Sequence, residues 1–226
     1  MFHWIEDKEF LSNMRRYCSD IINRLVNLIN KEGKMQVNMQ MVGSGAKKLE
    51  TQNGNEPIDL DYNLNIIYMN NSIFKTGKDI KEYVKSKFNE VLSKFELNDC
   101  DDSKSALTTK TMFFEEGNTT EFSIDLTITK LIDGKWNKLI HQKTGIVQND
   151  EWKWNIIKNS NGIDEKTKFI KENNMWNKLR KGYLDKKNYY LTINDYNHPS
   201  YNCYIEVVNE IYNSLIEQKN ININNV

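Results

Sequence analysis

The chain has 226 residues, enough for one compact domain or two small lobes around a sizeable hydrophobic core. Its 31 lysines and arginines balance 31 aspartates and glutamates, so there is no global basic field for gripping long nucleic acid, and no apolar run approaches the roughly 18 residues of a membrane span. Cys18, Cys100 and Cys203 are widely spaced and lack metal-ligand spacing, and the acidic start Met1-Phe2-His3-Trp4-Ile5-Glu6-Asp7-Lys8 has no apolar secretion segment, so a cytoplasmic protein with ordinary thiols is expected.

Taken in chain order, Phe10, Leu11, Met14, Ile21, Ile22, Leu25, Val26 and Ile29 recur at helical period and predict a helix from about Asp7 to Asn30, with Gly33 suited to its left-handed end. The alternating run Met35 to Val42 predicts a strand that feeds a turn at Gly43-Ser44, followed by a short helix over residues 46–50. Residues 51–57 read as a loop returning the chain to a second strand, Ile58 to Ile67. Ile80, Val84, Phe88, Val91, Leu92 and Phe95 then form one stripe of an amphipathic helix suited to covering a sheet face.

The middle of the chain reads as strands. Residues 106–114 turn at Glu116-Gly117-Asn118 into the run Glu121 to Ile128, a predicted hairpin, and a second pair follows in residues 136–143 and 152–158. Asn159-Ser160-Asn161-Gly162 is the strongest boundary signal, dividing residues 1–160 from residues 161–226. Beyond it the sequence predicts a helix over 164–181 and another over about 204–217, with Ser200 in the intervening loop as a cap and a frayed polar tail after Gln218.

Chemistry concentrates where the turn meets the second strand. After fourteen intervening residues Ser44 is followed by Asp59-Leu60-Asp61. Residues i and i+2 of a strand share a face, so two carboxylates stand side by side and repel unless a cation lies between them. Mg²⁺ suits that place, because it takes oxygen ligands from one or two carboxylates and from phosphates. Asp125 offers a third carboxylate from the middle of another strand-like run.

Gly43, Ser44, Asp59, Asp61 and Asp125, ordered on strand-like segments across residues 35 to 130, resemble the polymerase-beta-like nucleotidyltransferase superfamily. The resemblance implies an α+β fold: a mixed or antiparallel central sheet flanked by helices, an N-terminal helix on the core, and a small C-terminal helical lobe. It also implies transfer of a nucleoside monophosphate from an NTP to an acceptor hydroxyl, with release of pyrophosphate. Two Mg²⁺ (or Mn²⁺) ions about 4 Å apart would lie between Asp59 and Asp61, with Asp125 on the ion nearest the acceptor and able to take the hydroxyl proton. Gly43 and Ser44 would hold the terminal phosphates, with Lys47 and Lys48 adding charge. Lys178 and Lys181, with Arg180, Lys186 and Lys187, form a second basic source in the lobe. Within that family the resemblance at this length implies a small molecule or a protein as acceptor, and the neutral charge points away from long nucleic acid.

Other readings stay open at this stage. The same fold could bind a nucleotide or a partner without turnover, could make oligonucleotides or cyclic nucleotides, or could serve a two-metal phosphodiesterase. That last class commonly adds histidine ligands, and His3, His141 and His198 neighbour none of these aspartates in sequence. Trp136, Trp152, Trp154 and Trp176 are expected to pack in the core or between lobes.

Overall fold

A computed structural model describes residues 1–157, 162–195 and 198–224, with side chains as far as Gln218. The expected boundary at Asn159-Ser160-Asn161, the loop residues Tyr196 and Asn197, and the side chains of the tail lie outside the described residues. Two compact units emerge: Ile5–Glu50 with Asn55–Ile157, and Met1–Trp4 and Thr51–Gly54 with Lys158–Val226.

The larger unit is built on a seven-stranded sheet. Its first helix, α1 (Lys8–Glu32), starts on Asp7, whose carboxylate accepts from the Phe10 amide, and ends on Gly33 at φ 71°. Strand β2 (Met35–Met41) follows, then the short α2 (Gly43–Lys47), the long β4 (Ile58–Met69) and α3 (Gly77–Lys94). Two-residue strands β5 (Asp101–Asp102) and β6 (Leu107–Thr108) precede β7 (Phe122–Ile132), β8 (Lys135–Gln142) and β9 (Glu151–Ile156). The order is β2-β4-β7-β6-β5, and β8 pairs with the far half of β7 and with β9. Only the β4–β7 pairing is parallel, so the sheet is mixed and mostly antiparallel.

Alternation in β4 and β7 separates two faces. Ile58, Leu60, Tyr62 and Leu64 are buried together with Phe122, Ile124, Leu126 and Ile128, and they form one core with Met14, Ile21 and Leu25 of α1 and Val84, Phe88 and Leu92 of α3. Burying side chains of this size contributes about 1.5–3 kcal/mol each, which is what holds the two helices to the sheet. The opposite face of the same strands is polar, carrying Asp59, Asp61, Asn63 and Asn65 beside Ser123, Asp125, Thr127 and Thr129. Asn65 is buried there and is satisfied by Asn38 and Thr129 at 2.8 and 2.6 Å.

The smaller unit holds β1 (Phe2–Trp4), β3 (Thr51–Asn53), α4 (Ile163–Glu172), α5 (Trp176–Thr192) and α6 (Ser200–Asn224). β1 and β3 pair antiparallel, and α5 lies against them: Asn188 bonds the Phe2 backbone in both directions, and the Arg180 guanidinium sits 4.3 Å from the Trp4 ring.

Several local expectations are corrected. Residues 51–57 are not wholly loop, because Thr51–Asn53 finds a partner in Phe2–Trp4 far away in sequence. The short helix begins at Gly43 rather than at residue 46. The expected helix over 164–181 is two helices, broken where Asn174 takes φ 57°, a left-handed value that asparagine tolerates better than most residues. Ser200 starts α6 rather than capping it from outside, and the α6 backbone runs on to Asn224. The hairpin strand over 106–114 shrinks to Leu107–Thr108, since Phe114 folds onto Phe10, Tyr17 and Phe122 at ring distances of 5.1–6.0 Å.

Candidate active site

Parallel pairing places Asp59 opposite Ser123 and Asp61 opposite Asp125. Partners in register share a face, so all three carboxylates project from the polar side of the sheet, away from α1 and α3. Each outer acid takes a hydroxyl: Ser123 Oγ donates to Asp59 Oδ1 at 2.5 Å, and Thr108 Oγ1 donates to Asp125 Oδ1 at 2.5 Å. Thr108 reaches Asp125 because β6 pairs antiparallel with β7 at that step.

Asp61 lies between the other two. Burial, followed by the charges of Asp125 and Asp59, pushes its carboxyl up to about 6. Asp125 is raised as well, by burial and by Asp59, against the lowering effect of the Thr108 hydroxyl.

The glycine turn is fitted onto this acid. The Val42 amide donates to the Asp61 carbonyl at 2.9 Å, and Gly43 follows at φ 64°. A Cβ at Gly43 would stand 2.2 Å from Asp61 Oδ2, so a side chain is excluded by contact as well as by backbone conformation. Gly45 sits against Leu60 and Met41, where a Cβ would come within 2.9 and 3.2 Å. The far end of the turn is fixed by Glu50, which is 3% exposed and grips the Arg15 guanidinium of α1 through two nitrogens.

Gly43, Ser44, Asp59, Asp61 and Asp125 therefore gather on one part of the larger unit, and Lys47 closes the same short helix. Lys178 and Lys181 are exposed on α5 of the smaller unit. Other members of that basic group are already engaged: Lys186 pairs with Glu206 and Glu210, and Lys187 donates to Thr51 at 2.8 Å with Phe2 over its ammonium.

Ser123 and Thr108 are site neighbours that the sequence reading passed over. Ser123 was legible in principle, since it lies two residues before Asp125 and must share its face. Thr108 was not, because its register to Asp125 exists only after the sheet forms. Trp136 is 39% exposed, whereas Trp152 and Trp154 pack on the core edge as expected.

The chemistry of the donor set fits a hard divalent cation. Three carboxylates share one face, and the middle one is held above its usual range by burial and then by its neighbours' charge, the second of which a cation would relieve. Among the described residues no three acidic, histidine or cysteine side chains are gathered closely enough to hold an ion as they stand. The outer two are turned to their hydroxyls.

Solved structures share this architecture. The Elizabethkingia meningoseptica CdnE cyclic dinucleotide synthase, solved with GTP and Apcpp, aligns with a TM-score of 0.52 at 10% identity over 84% of this chain and 68% of its own. CdnC of E. coli MS115-1, solved in a complex with HORMA-deltaN, gives 0.53 at 12% identity over 90% of this chain and 60% of its own. The Bradyrhizobium diazoefficiens CD-NTase CdnG, solved with GTP, gives 0.40 at 12% identity over 69% of this chain and 40% of its own. The chain thus spans from two fifths to about two thirds of these proteins' lengths. No family model matches it, and no curated protein matches it in sequence. Its α+β architecture, a mostly antiparallel sheet flanked by helices, is the nucleotidyltransferase fold. Among the described residues, no helix is long and apolar enough to cross a membrane.

Proposed function

We propose that the chain is a metal-dependent nucleotidyltransferase, moving a nucleoside monophosphate from an NTP to an acceptor hydroxyl and releasing pyrophosphate. The observation that carries this reading is the common face of Asp59, Asp61 and Asp125 beneath a turn whose glycine touches the central acid. Asp59, Asp61 and Asp125 would hold Mg²⁺ or Mn²⁺. The bound ions would supply charge neutralisation at the attacking and leaving oxygens of the transferred phosphate. Asp125 stands at the end of the trio and would receive the acceptor's proton, a role suited to a carboxyl that burial raises above its ordinary value.

Backbone amides around Gly43 and Ser44 would bind the terminal phosphates, because only a glycine lets the chain approach that closely. Lys47 is proposed as a further triphosphate ligand, its substitution to Gln raising KM more than it lowers kcat. The acceptor we favour is a small molecule or protein, since a neutral chain has no field to hold long RNA. A second nucleotide as acceptor is the other reading, favoured by the shared fold with a cyclic dinucleotide synthase.

Incubation with radiolabelled NTPs and Mg²⁺ or Mn²⁺, resolved by thin-layer chromatography, tests both readings. We expect labelled product from the native protein and a loss of at least 10³-fold in Asp59→Asn, in line with electrostatic terms of this kind. Equal transfer by both proteins would overturn the metal role, and a cyclic product would fix the acceptor as a nucleotide.

A further inference from the structure

The larger unit holds a second concavity, a cavity of about 450 Å³ on the helix-covered side of the sheet. Its walls come from α3, from the segment after β8 and from β9. His141 lies on the same face of β8 as Leu139, which belongs to the core, whereas the three carboxylates project from the other face. The two sites are therefore separate.

Lys78, Lys81 and Lys85 recur at i, i+3 and i+7 of α3, one face of the helix, and that face lines the cavity with Lys143 across from it. Such a stripe normally faces solvent, yet Lys81 is 3% exposed. Its ammonium bonds Asp102 at 2.6 Å and the Ser103 carbonyl at 2.7 Å. His141 links the floor: Nδ1 lies 2.7 Å from Asp102 and Nε2 lies 3.0 Å from Asp150, while Trp152 stacks on the ring at 4.2 Å. Asp150 also accepts from the Thr144 amide at 2.8 Å. Both floor carboxylates are thus engaged by the protein itself.

The mouth is different. Lys85, Lys78 and Lys143 stand there, Lys143 donating to the Asp102 backbone carbonyl and Lys78 lying 5.5 Å from the Trp152 ring, and the carboxylate beside them is Glu82, which meets Lys78 as an exposed pair at 3.6 Å. Exposed pairs of this kind contribute little and exchange readily. Four lysines line the cavity against the carboxylates of Glu82, Asp102 and Asp150, and with Asp102 held by Lys81 and Asp150 by His141 the positive charge that remains is gathered at the mouth, where it favours an anionic ligand. The volume falls in the range of small-molecule pockets, roughly 300–1,000 Å³. The walls are firm, since Gly77 packs so tightly on Leu139 and Trp152 that a Cβ would come within 2.8–2.9 Å of them.

We propose that this cavity is a second ligand site that takes a small phosphate-bearing molecule, seating a phosphate dianion among Lys78, Lys85 and Lys143 above the Lys81–Asp102–His141–Asp150 floor. This assignment does not rest on the carboxylate site. Titration calorimetry with inorganic pyrophosphate in EDTA tests it, using the full chain carrying Asp59→Asn, Asp61→Asn and Asp125→Asn so that the carboxylate site cannot bind through a metal. One-to-one binding that weakens with added salt is expected, and Lys85→Gln with Lys143→Gln should weaken it at least tenfold. Lys135→Gln, on an exposed lysine outside the cavity, should leave it unchanged. Melting curves of each variant establish that the fold persists. Unchanged binding by the Lys85/Lys143 double variant overturns the proposal, and so does absence of binding at millimolar pyrophosphate. Binding to phosphatidic acid vesicles without binding to free pyrophosphate also overturns it, because the ligand would then be a membrane surface.

Discussion

Asp61 is a buried acid between two acids, and its behaviour with pH follows from the burial first and from its neighbours' charge second. Its carboxyl titrates near 6 in the fold against 3.8 when free, so the folded state holds the proton more tightly. The associated stability is fully present below about 3.8 and is lost as pH rises through about 6. The loss is on the order of 2 kcal/mol once solvent screening is allowed for. In EDTA at pH 7.5, Asp61→Asn should therefore melt roughly 4–8 °C above the native protein, although it should transfer no nucleotide. Mg²⁺ should raise the native melting temperature at pH 7.5, less so at pH 5, and should leave Asp61→Asn unmoved; differential scanning fluorimetry reads all three. Gly43→Ala probes the same acid from above. A methyl 2.2 Å from Asp61 Oδ2 and a positive φ should cost about 1–3 kcal/mol in urea unfolding and displace the acid from its neighbours.

Among the elements, the glycine turn is held by its ends. Glu50 is almost wholly buried against Arg15, so Arg15→Leu strands a carboxylate and should cost about 3 kcal/mol. Arg15→Leu combined with Glu50→Leu should recover most of that loss by chemical denaturation, which separates the ion pair from simple packing. Helix α3 begins with a capping box between Thr76 and Asp79, and Thr76→Ala should cost about 1 kcal/mol. Legibility in the sequence differed by element for physical reasons. Helices α1 and α3 and strands β2, β4 and β7 were readable because each buries one face, and burial writes a period of 3.6 or 2 into the chain. β1 and β3 have three residues each, too few to show a period, and their pairing spans about fifty residues. The break between α4 and α5 turns on one residue, Asn174, whose left-handed backbone leaves no mark on hydrophobic spacing.

On the scale of the molecule, the order Gly-Ser, Asp-x-Asp, Asp was readable because each piece sits on a periodic strand. Their convergence was not, since it depends on which strands pair and in what register. His141 shows the limit from the other side: it is isolated in sequence but central to a cluster assembled from three strands and a helix. The thiols give a test of the whole fold. Cys18 and Cys100 are buried and pushed up to about 12, and Cys203 is buried and raised too. A thiol-reactive dye should label none of them in the native protein and all three in urea. The parallel ladder between β4 and β7 has one more consequence. Asp61 meets Asp125 because Ile58 to Ile66 keep step with Phe122 to Lys130, not because of how much chain lies between them. The connector leaves β4, runs through α3, β5 and β6, and passes exposed Glu115 and Glu116 on its way back. Residues spliced in at that exposed bend should shift neither acid, so lineages or protein engineers can lengthen the detour while the carboxylates stay registered.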